Sequence, residues 1–250
     1  MTDLTGKVAV VTGSSRGIGK AIAQRYAALG ANVVVNYATD RQNAAQTVTE
    51  IEEAGGRAIA VRADVSSLPD LDNLFQAAID TFGRLDIVVA NAGVEIILQP
   101  ISEVTEEQFD RLFAINAKGA FFTLQKAAAR LHDGGRLINI GSTTTVSPYP
   151  GMGLYASSKS AAEQLTGILA LELGSRDITV NTILPCAIGG AGVFSEVTPG
   201  DQFHQMNAER PLGGRPGTPD DVADAAEYLA GNLAAWVSGH TLVVAGGAPQ

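Results

Sequence analysis

One cysteine, Cys186, stands in 250 residues, so no intrachain disulfide can form and the fold must hold by packing. That cysteine usage suits a reducing compartment, and a cytoplasmic protein is expected. Charged residues make up 17% and aromatic residues only 6%. The first figure is too low for a coiled coil. No apolar run approaches a membrane span. The start, Met1-Thr2-Asp3-Leu4, lacks a basic stretch followed by an apolar one, so no secretory leader is expected. His132, His204 and His240 have no metal-ligand spacing, and no metal is expected. Lysine and arginine total 17 against 26 acidic residues, a net charge of −9. That balance argues against nucleic acid and anionic membrane as partners.

What remains is an apolar chain, 46% hydrophobic, long enough to bury a large core without a staple. Short β-branched runs alternate with longer helical patterns. Strands are expected at 8–11, 32–35, 58–61, 85–90, 136–140, 178–184 and 241–244. Helices are expected at 17–29, 41–54, 69–82, 105–131, 155–173 and 219–230. Pro69 sits in a first turn, and Thr105-Glu106-Glu107-Gln108 is a capping signal. Continuously apolar strands separated by helices predict a parallel sheet covered on both faces. The irregular stretch 189–218, rich in glycine and holding Pro199, Pro211 and Pro216, reads as a substrate-binding loop or lid within a single domain spanning 1–250.

Between the first strand and the first helix lies Thr12-Gly13-Ser14-Ser15-Arg16-Gly17-Ile18-Gly19. A turn of this kind brings backbone N–H groups and a helix N-terminus close to a pyrophosphate; it also serves as a bare tight turn. Further on, Tyr155 and Lys159 lie four apart in a helical pattern and share one face. A phenol near pKa 10 is too weak an acid for efficient proton exchange at neutral pH. An ammonium about 5 Å away contributes roughly 3 kcal/mol at an effective dielectric near 20, about two pKa units. Ser142 ends a strand pattern, at the sheet edge where α/β ligand sites form, and its hydroxyl can donate to a carbonyl. Thr143, Thr144 and Thr145 compete for that role on position alone.

The glycine turn, Asp64-Val65, Asn91-Ala92-Gly93, Asn116, Gly141-Ser142 and Tyr155-Ala156-Ser157-Ser158-Lys159 occur in the order and spacing of the short-chain dehydrogenases/reductases. From about Leu4 to Gly247 the chain resembles that family, nearest to 3-oxoacyl-carrier-protein reductases and polyhydroxynaphthalene-type ketone reductases. The resemblance implies a single doubly wound α/β domain of the Rossmann type, with about seven parallel strands and helices on both faces. It implies Asn116, Ser142, Tyr155 and Lys159 as the catalytic set, with Asn116 distorting its helix and holding a relay water; a buried asparagine satisfied by backbone is the alternative. Cofactor contacts are implied for Gly13, Ser15, Arg16, Gly17, Ile18, Gly19, Asn36 and Tyr37. Others are Asp64 and Val65 at the adenine, Asn91, Ala92 and Gly93 at the ribose, Tyr155, Lys159, Pro185 and the backbone of Ile188.

Family alignment puts Tyr37 where NAD-binding relatives carry an acid, and Arg16 can meet a 2′-phosphate. NADP(H) is therefore the expected cofactor, with NAD(H) retained as an alternative. Asp40 is the counter-signal, as a ribose contact or as a helix cap. Reduction of a small-molecule substrate, a medium-sized apolar or aromatic ketone or a quinone-like carbonyl, is expected, with an NAD-linked alcohol or sugar dehydrogenase and a non-catalytic dinucleotide-binding protein as the other readings. The family also implies a homotetramer. Cys186, Gly190 and Ala245 depart from the family, which usually has Gly, Thr and Asp there. The pocket is expected from Glu95, Ile96, Ile97, residues 144–149, Met152 and residues 189–206, most of them apolar or small, with no basic cluster for an acyl carrier.

Overall fold

A computed structural model describes residues 2–196, 207 and 211–248. Seven strands form one parallel sheet: β1 (Val8–Val11), β2 (Asn32–Tyr37), β3 (Arg57–Arg62), β4 (Ile87–Ala90), β5 (Arg136–Ile140), β6 (Thr179–Pro185) and β7 (Thr241–Val244). Their order is β3-β2-β1-β4-β5-β6-β7, and the direction of strand addition reverses between β1 and β4. The register there pairs Ala9 with Ile87 and Val11 with Val89. Helices α1 (Gly17–Ala28), α2 (Arg41–Glu53), α3 (Leu68–Phe82), α4 (Glu106–Leu112), α5 (Ala120–Arg130), α6 (Gly153–Leu173) and α7 (Pro219–Ala230) connect them. This is the expected Rossmann-type α/β architecture.

The central strands β1 and β4 are apolar and buried throughout because helices cover both faces of the sheet there. Ala9 and Val11 of β1 join a core with Ile22 and Tyr26 of α1 and Val222 and Ala226 of α7. Val8 and Val10 point the other way, against Leu71 and Phe75 of α3, Leu124 of α5 and Leu169 of α6. Two-residue alternation thus feeds two cores rather than one core and solvent. Tyr26 is fully buried, and its hydroxyl donates to the Ala226 carbonyl at 2.9 Å, tying α1 to α7.

Local chemistry sets the boundaries. Ser67 caps α3, Gly83 closes it in the left-handed region, and Thr105 and Gln108 form the expected capping box on α4. The pattern at 105–131 is not one regular helix. A π-helical segment, Phe113–Gly119, separates α4 from α5 and carries Asn116. Of the expected loop at 189–218, residues 197–206 and 208–210, with His204, lie outside the described residues. Gly192–Phe194 forms a short 3₁₀ turn, and Ile188 bridges to Gly217. Among the described residues, no helix is long and apolar enough to cross a membrane.

Candidate active site

The turns after β1 and β4 meet at the carboxyl ends of their strands, at the reversal point where open α/β sheets form their ligand crevice. Thr12 knits them together. Its hydroxyl oxygen accepts from the Asn91 and Ala92 amides at 2.9 and 3.0 Å. Asn91 Nδ2 donates to the Thr12 and Gly13 carbonyls at 2.8 and 3.1 Å. A Cβ on Gly13 would lie 2.9 Å from Ala92 Cα, and one on Gly19 would lie 2.5 Å from the Gly13 carbonyl oxygen. Glycine is therefore required for the approach. No side chain caps α1, and no acidic residue stands in its first turn. Its first amides border the crevice with donor capacity unmet, an arrangement suited to a phosphate.

The crevice is a cleft of about 800 Å³ running past Gly13, Ser15, Arg16, Gly17, Ile18 and Gly19 to Ser142, Tyr155 and Lys159. Asn36, Tyr37, Asp64, Val65, Asn91, Ala92, Gly93, Pro185 and Ile188 also line it. All the sequence-predicted cofactor residues are thus brought together. Their work differs from expectation at Asn36, whose side chain is a brace. Its Oδ1 accepts from the Gly13 amide at 2.9 Å and its Nδ2 donates to the Ala63 carbonyl at 3.0 Å. Asp40 caps α2, accepting from the Asn43 amide at 3.1 Å and the Asn43 side chain at 2.6 Å. Those bonds, with the nearby Arg16 charge, hold its carboxyl below the usual carboxylate range. At Ile188 the bridge uses the Gly189 amide and the Ala187 carbonyl, not the peptide groups of Ile188 itself.

Tyr155 and Lys159 rise one turn apart on α6, both buried. Lys159 Nζ donates to the Ile140 carbonyl at 3.1 Å and lies 5.9 Å from the Tyr155 ring centre. Gly93 makes room for it, since a Cβ there would stand 2.9 Å from Nζ. Ser142 Oγ accepts from the Thr144 hydroxyl at 3.0 Å and from the Thr144 amide at 3.3 Å. Ser142 is the neighbour that acts to lower the Tyr155 pKa. Thr144 therefore orients Ser142, a role that sequence could not separate from the competing threonines.

Asn116 is 1% exposed and fully engaged. Its Oδ1 accepts from the Val94 amide at 2.9 Å, and its Nδ2 donates to the Val94 carbonyl at 2.8 Å and to Ser158 Oγ at 3.0 Å. Ser158 in turn donates to the Tyr155 carbonyl at 2.7 Å. The helix distortion is present; the side chain, however, clamps the segment after β4 to α6.

Burial dominates the acidities of this pair. Burial raises the Tyr155 hydroxyl well above its ordinary value, the Glu95 charge raises it further, and only the bond from Ser142 opposes them. Burial also pushes Lys159 down to about 8, with the Glu95 charge acting in the opposite sense. After burial, the largest cause, Glu95 is the charge that helical spacing does not reveal. Tyr155 Oη donates to Glu95 Oε1 at 3.4 Å, and the Val193 amide donates to Oε2 at 2.8 Å. Sixty residues separate the two side chains in sequence, and no periodicity links them. The expected pocket is corrected as well. Glu95 and Ala191–Phe194 line the cleft, whereas Ile96 and Ile97 pack with Leu112, Leu154 and Tyr155 in a separate apolar cluster. Residues 144–149 and Met152 are not part of the lining.

A dinucleotide-sized crevice beside a buried tyrosine–lysine pair defines an oxidoreductase of the Rossmann class. Residues 13–249 match a family model described as enoyl-(acyl carrier protein) reductase. An uncharacterized oxidoreductase of Methylorubrum extorquens is 43% identical over 248 residues, 99% of each chain. The hydroxynaphthalene reductase-like protein Arp2 of Metarhizium brunneum is 40% identical, covering 98% of this chain and 95% of that protein. The angucycline C-6 ketoreductase LanV, solved with bound NADP, superposes with a TM-score of 0.90 at 39% identity over 98% of this chain and 96% of that one. The chain belongs to the short-chain dehydrogenase/reductase family and is an NAD(P)-dependent oxidoreductase.

Proposed function

We propose that the protein reduces ketones with NADPH. The observation that carries this reading is the convergence of Ser142, Tyr155 and Lys159 at one end of a cleft whose other end is the uncapped start of α1. The residues present fit the cofactor. Backbone amides at Gly17 to Gly19 would hold its pyrophosphate, Arg16 a 2′-phosphate, and Lys159 the ribose next to the nicotinamide. β2 ends in Tyr37 with no carboxylate to repel that phosphate, and the Asp40 carboxylate is occupied as a cap. The NADP bound to the related ketoreductase supports the same choice. When bound, the cofactor supplies hydride.

The side chains supply the rest. Tyr155, kept protonated by burial, donates its proton to the ketone oxygen as charge grows there. Ser142, oriented by Thr144, donates a hydrogen bond to the same oxygen. Lys159, with Gly93 leaving space for its head, holds a positive charge beneath the site below about pH 8. Asn116 is a positioning residue, fixing Val94 and, through Ser158, the turn of α6 that carries Tyr155.

Exposed apolar side chains support a homotetramer: Phe109 and Phe121 along α4 and α5, Leu171 on α6, and Trp236, which is 99% exposed. Light scattering on a sizing column tests it; a monomer at micromolar concentration refutes it. The function is tested by following NADPH and NADH absorbance with panels of ketones and alcohols. Ketone-dependent NADPH oxidation is expected. Alcohol oxidation with NAD at higher kcat/KM would favour the dehydrogenase direction instead.

A further inference from the structure

Glu95 is an anionic side chain beside Tyr155 in a cleft that Arg111 and Lys159 also line, and it gives no proton in the proposed reduction. It is half-buried and held from behind. Oε2 takes the Val193 amide at 2.8 Å, and a Cβ on Gly192 would stand 2.4 Å from the same oxygen. Gly192, at φ +55, thus leaves the space the carboxylate occupies. Oε1 faces Tyr155 at 3.4 Å, the long end of a hydrogen bond.

Engaging a ketone changes this arrangement in a defined way. Tyr155 Oη has one proton to donate. When it turns to a ketone oxygen about 3 Å away, Oε1 loses its donor while remaining beside Tyr155. A half-buried carboxylate oxygen without a donor is costly, and more so than a neutral acceptor. A substrate that returns a donor removes the penalty. A donor on the carbon bonded to the carbonyl, or one carbon further, is close enough to the carbonyl oxygen to reach Oε1 once Tyr155 holds that oxygen. A methyl group there leaves the penalty in place, and an anion adds repulsion to it.

We propose that Glu95 is a specificity-determining residue that selects neutral ketones carrying a hydroxyl on the first or second carbon from the carbonyl, and disfavours ketones carrying a carboxylate there. The assignment rests on the ketone-reductase reading and specifies its substrate class. Phenacyl alcohol and propiophenone differ by hydroxyl against methyl, and benzoylformate places a carboxylate at the same point. The hydroxyl also alters intrinsic carbonyl reactivity, so the informative quantity is how the ratio of kcat/KM values changes between enzymes.

Glu95→Gln keeps an acceptor for the Val193 amide and removes the charge; Glu95→Leu removes both. With NADPH, the phenacyl alcohol to propiophenone ratio is expected to fall about 10-fold in Glu95→Gln and further in Glu95→Leu, the range of one charge-assisted hydrogen bond. The benzoylformate to propiophenone ratio is expected to rise in both. NADPH affinity and thermal midpoint, measured alongside, establish that each variant is folded and loaded. Ratios within twofold of wild type in both folded variants overturn the role of Glu95 and leave ketone reduction standing. A wild-type protein that oxidises NADPH with other ketones of the panel but with none of these three overturns this assignment and leaves ketone reduction standing; no oxidation with any ketone of the panel overturns both.

Discussion

Replacing Lys159 with methionine should make the protein more stable at neutral pH. The ammonium is buried, and its pKa falls from 10.5 in the ordinary lysine to about 8. A 2.5-unit depression corresponds to about 3 kcal/mol of disfavoured charge. The sign follows from proton counting. Below pH 8 the lysine is protonated in both the folded and the unfolded chain, and the folded state bears the full cost. Between pH 8 and about 10.5 the unfolded chain binds more protons, so stability rises with pH; above that range the cost is gone. Methionine has similar length and no charge. It forfeits the bond from Nζ to the Ile140 carbonyl, about 1 kcal/mol. The net gain for Lys159→Met at pH 7 is therefore about 2 kcal/mol, roughly 4–8 °C for a chain of this size. At pH 10.5 the neutral amine still donates its bond, and the variant should be about 1 kcal/mol less stable than wild type. Urea unfolding at both pH values, with thermal scans in parallel, measures the difference. A variant less stable than wild type at pH 7, or one whose advantage persists undiminished at pH 10.5, would refute the reasoning.

Tyr155→Phe should lower turnover by about 10²- to 10⁴-fold while leaving the NADPH dissociation constant within twofold, measured by fluorescence titration. Arg16→Ala should weaken NADPH about 10-fold and NADH far less; equal losses for the two cofactors would remove Arg16 from phosphate recognition. Asp86 is nearly buried, and although burial raises its pKa, bonds from Arg84 and the Val8 amide, with the Lys7 charge, bring it below the usual carboxylate range. Its contribution is present above the unfolded carboxyl pKa near 3.9 and lost as pH falls through the folded value. Asp86→Asn should thus cost about 2 kcal/mol in urea at pH 7, discounted because Arg84 and Lys7 are partly solvated, and the gap should narrow in acid. Thr218→Ala removes the capping box of α7 and should cost about 1 kcal/mol in the same assay.

The strand order and both cores were legible because burial on two faces leaves continuous apolar runs, as at Val8–Val11, and caps such as Thr105 announce helix starts. The break at Phe113–Gly119 was legible only through the family resemblance, which implies a distortion at Asn116. Periodicity hides it, because Leu112 before the segment and Asn116 and Gly119 within it still fall on a buried stripe, so the pattern reads as one helix. The catalytic tyrosine and lysine were legible as an i,i+4 pair because helical spacing is local. Their acidities were not, because those depend on how much water the fold removes and on Glu95, a residue brought in by the segment after β4. Asn36 illustrates the same limit. A polar side chain at a strand end beside a glycine turn suits a ligand, and only the positions of Gly13 and Ala63 reveal that its bonds are already made.

These particulars share one physical origin. A crevice dry enough to strengthen a hydrogen bond to a developing oxyanion is also dry enough to disfavour every charge it contains. Ser142 and the phenol of Tyr155 escape the penalty because they enter neutral. Lys159 cannot escape it, and the depression to about 8 measures what the fold tolerates. Glu95 offsets part of that cost by favouring the ammonium, so it couples cation and phenol in opposite directions: its charge keeps Lys159 protonated and makes Tyr155 a weaker acid. Glu95→Gln should accordingly move the descending limb of the kcat/KM profile, set by Lys159 losing its proton, to lower pH. An unmoved limb in a folded variant would mean that Lys159 keeps its charge without help from Glu95, and that the Ile140 carbonyl is sufficient counterpart for it.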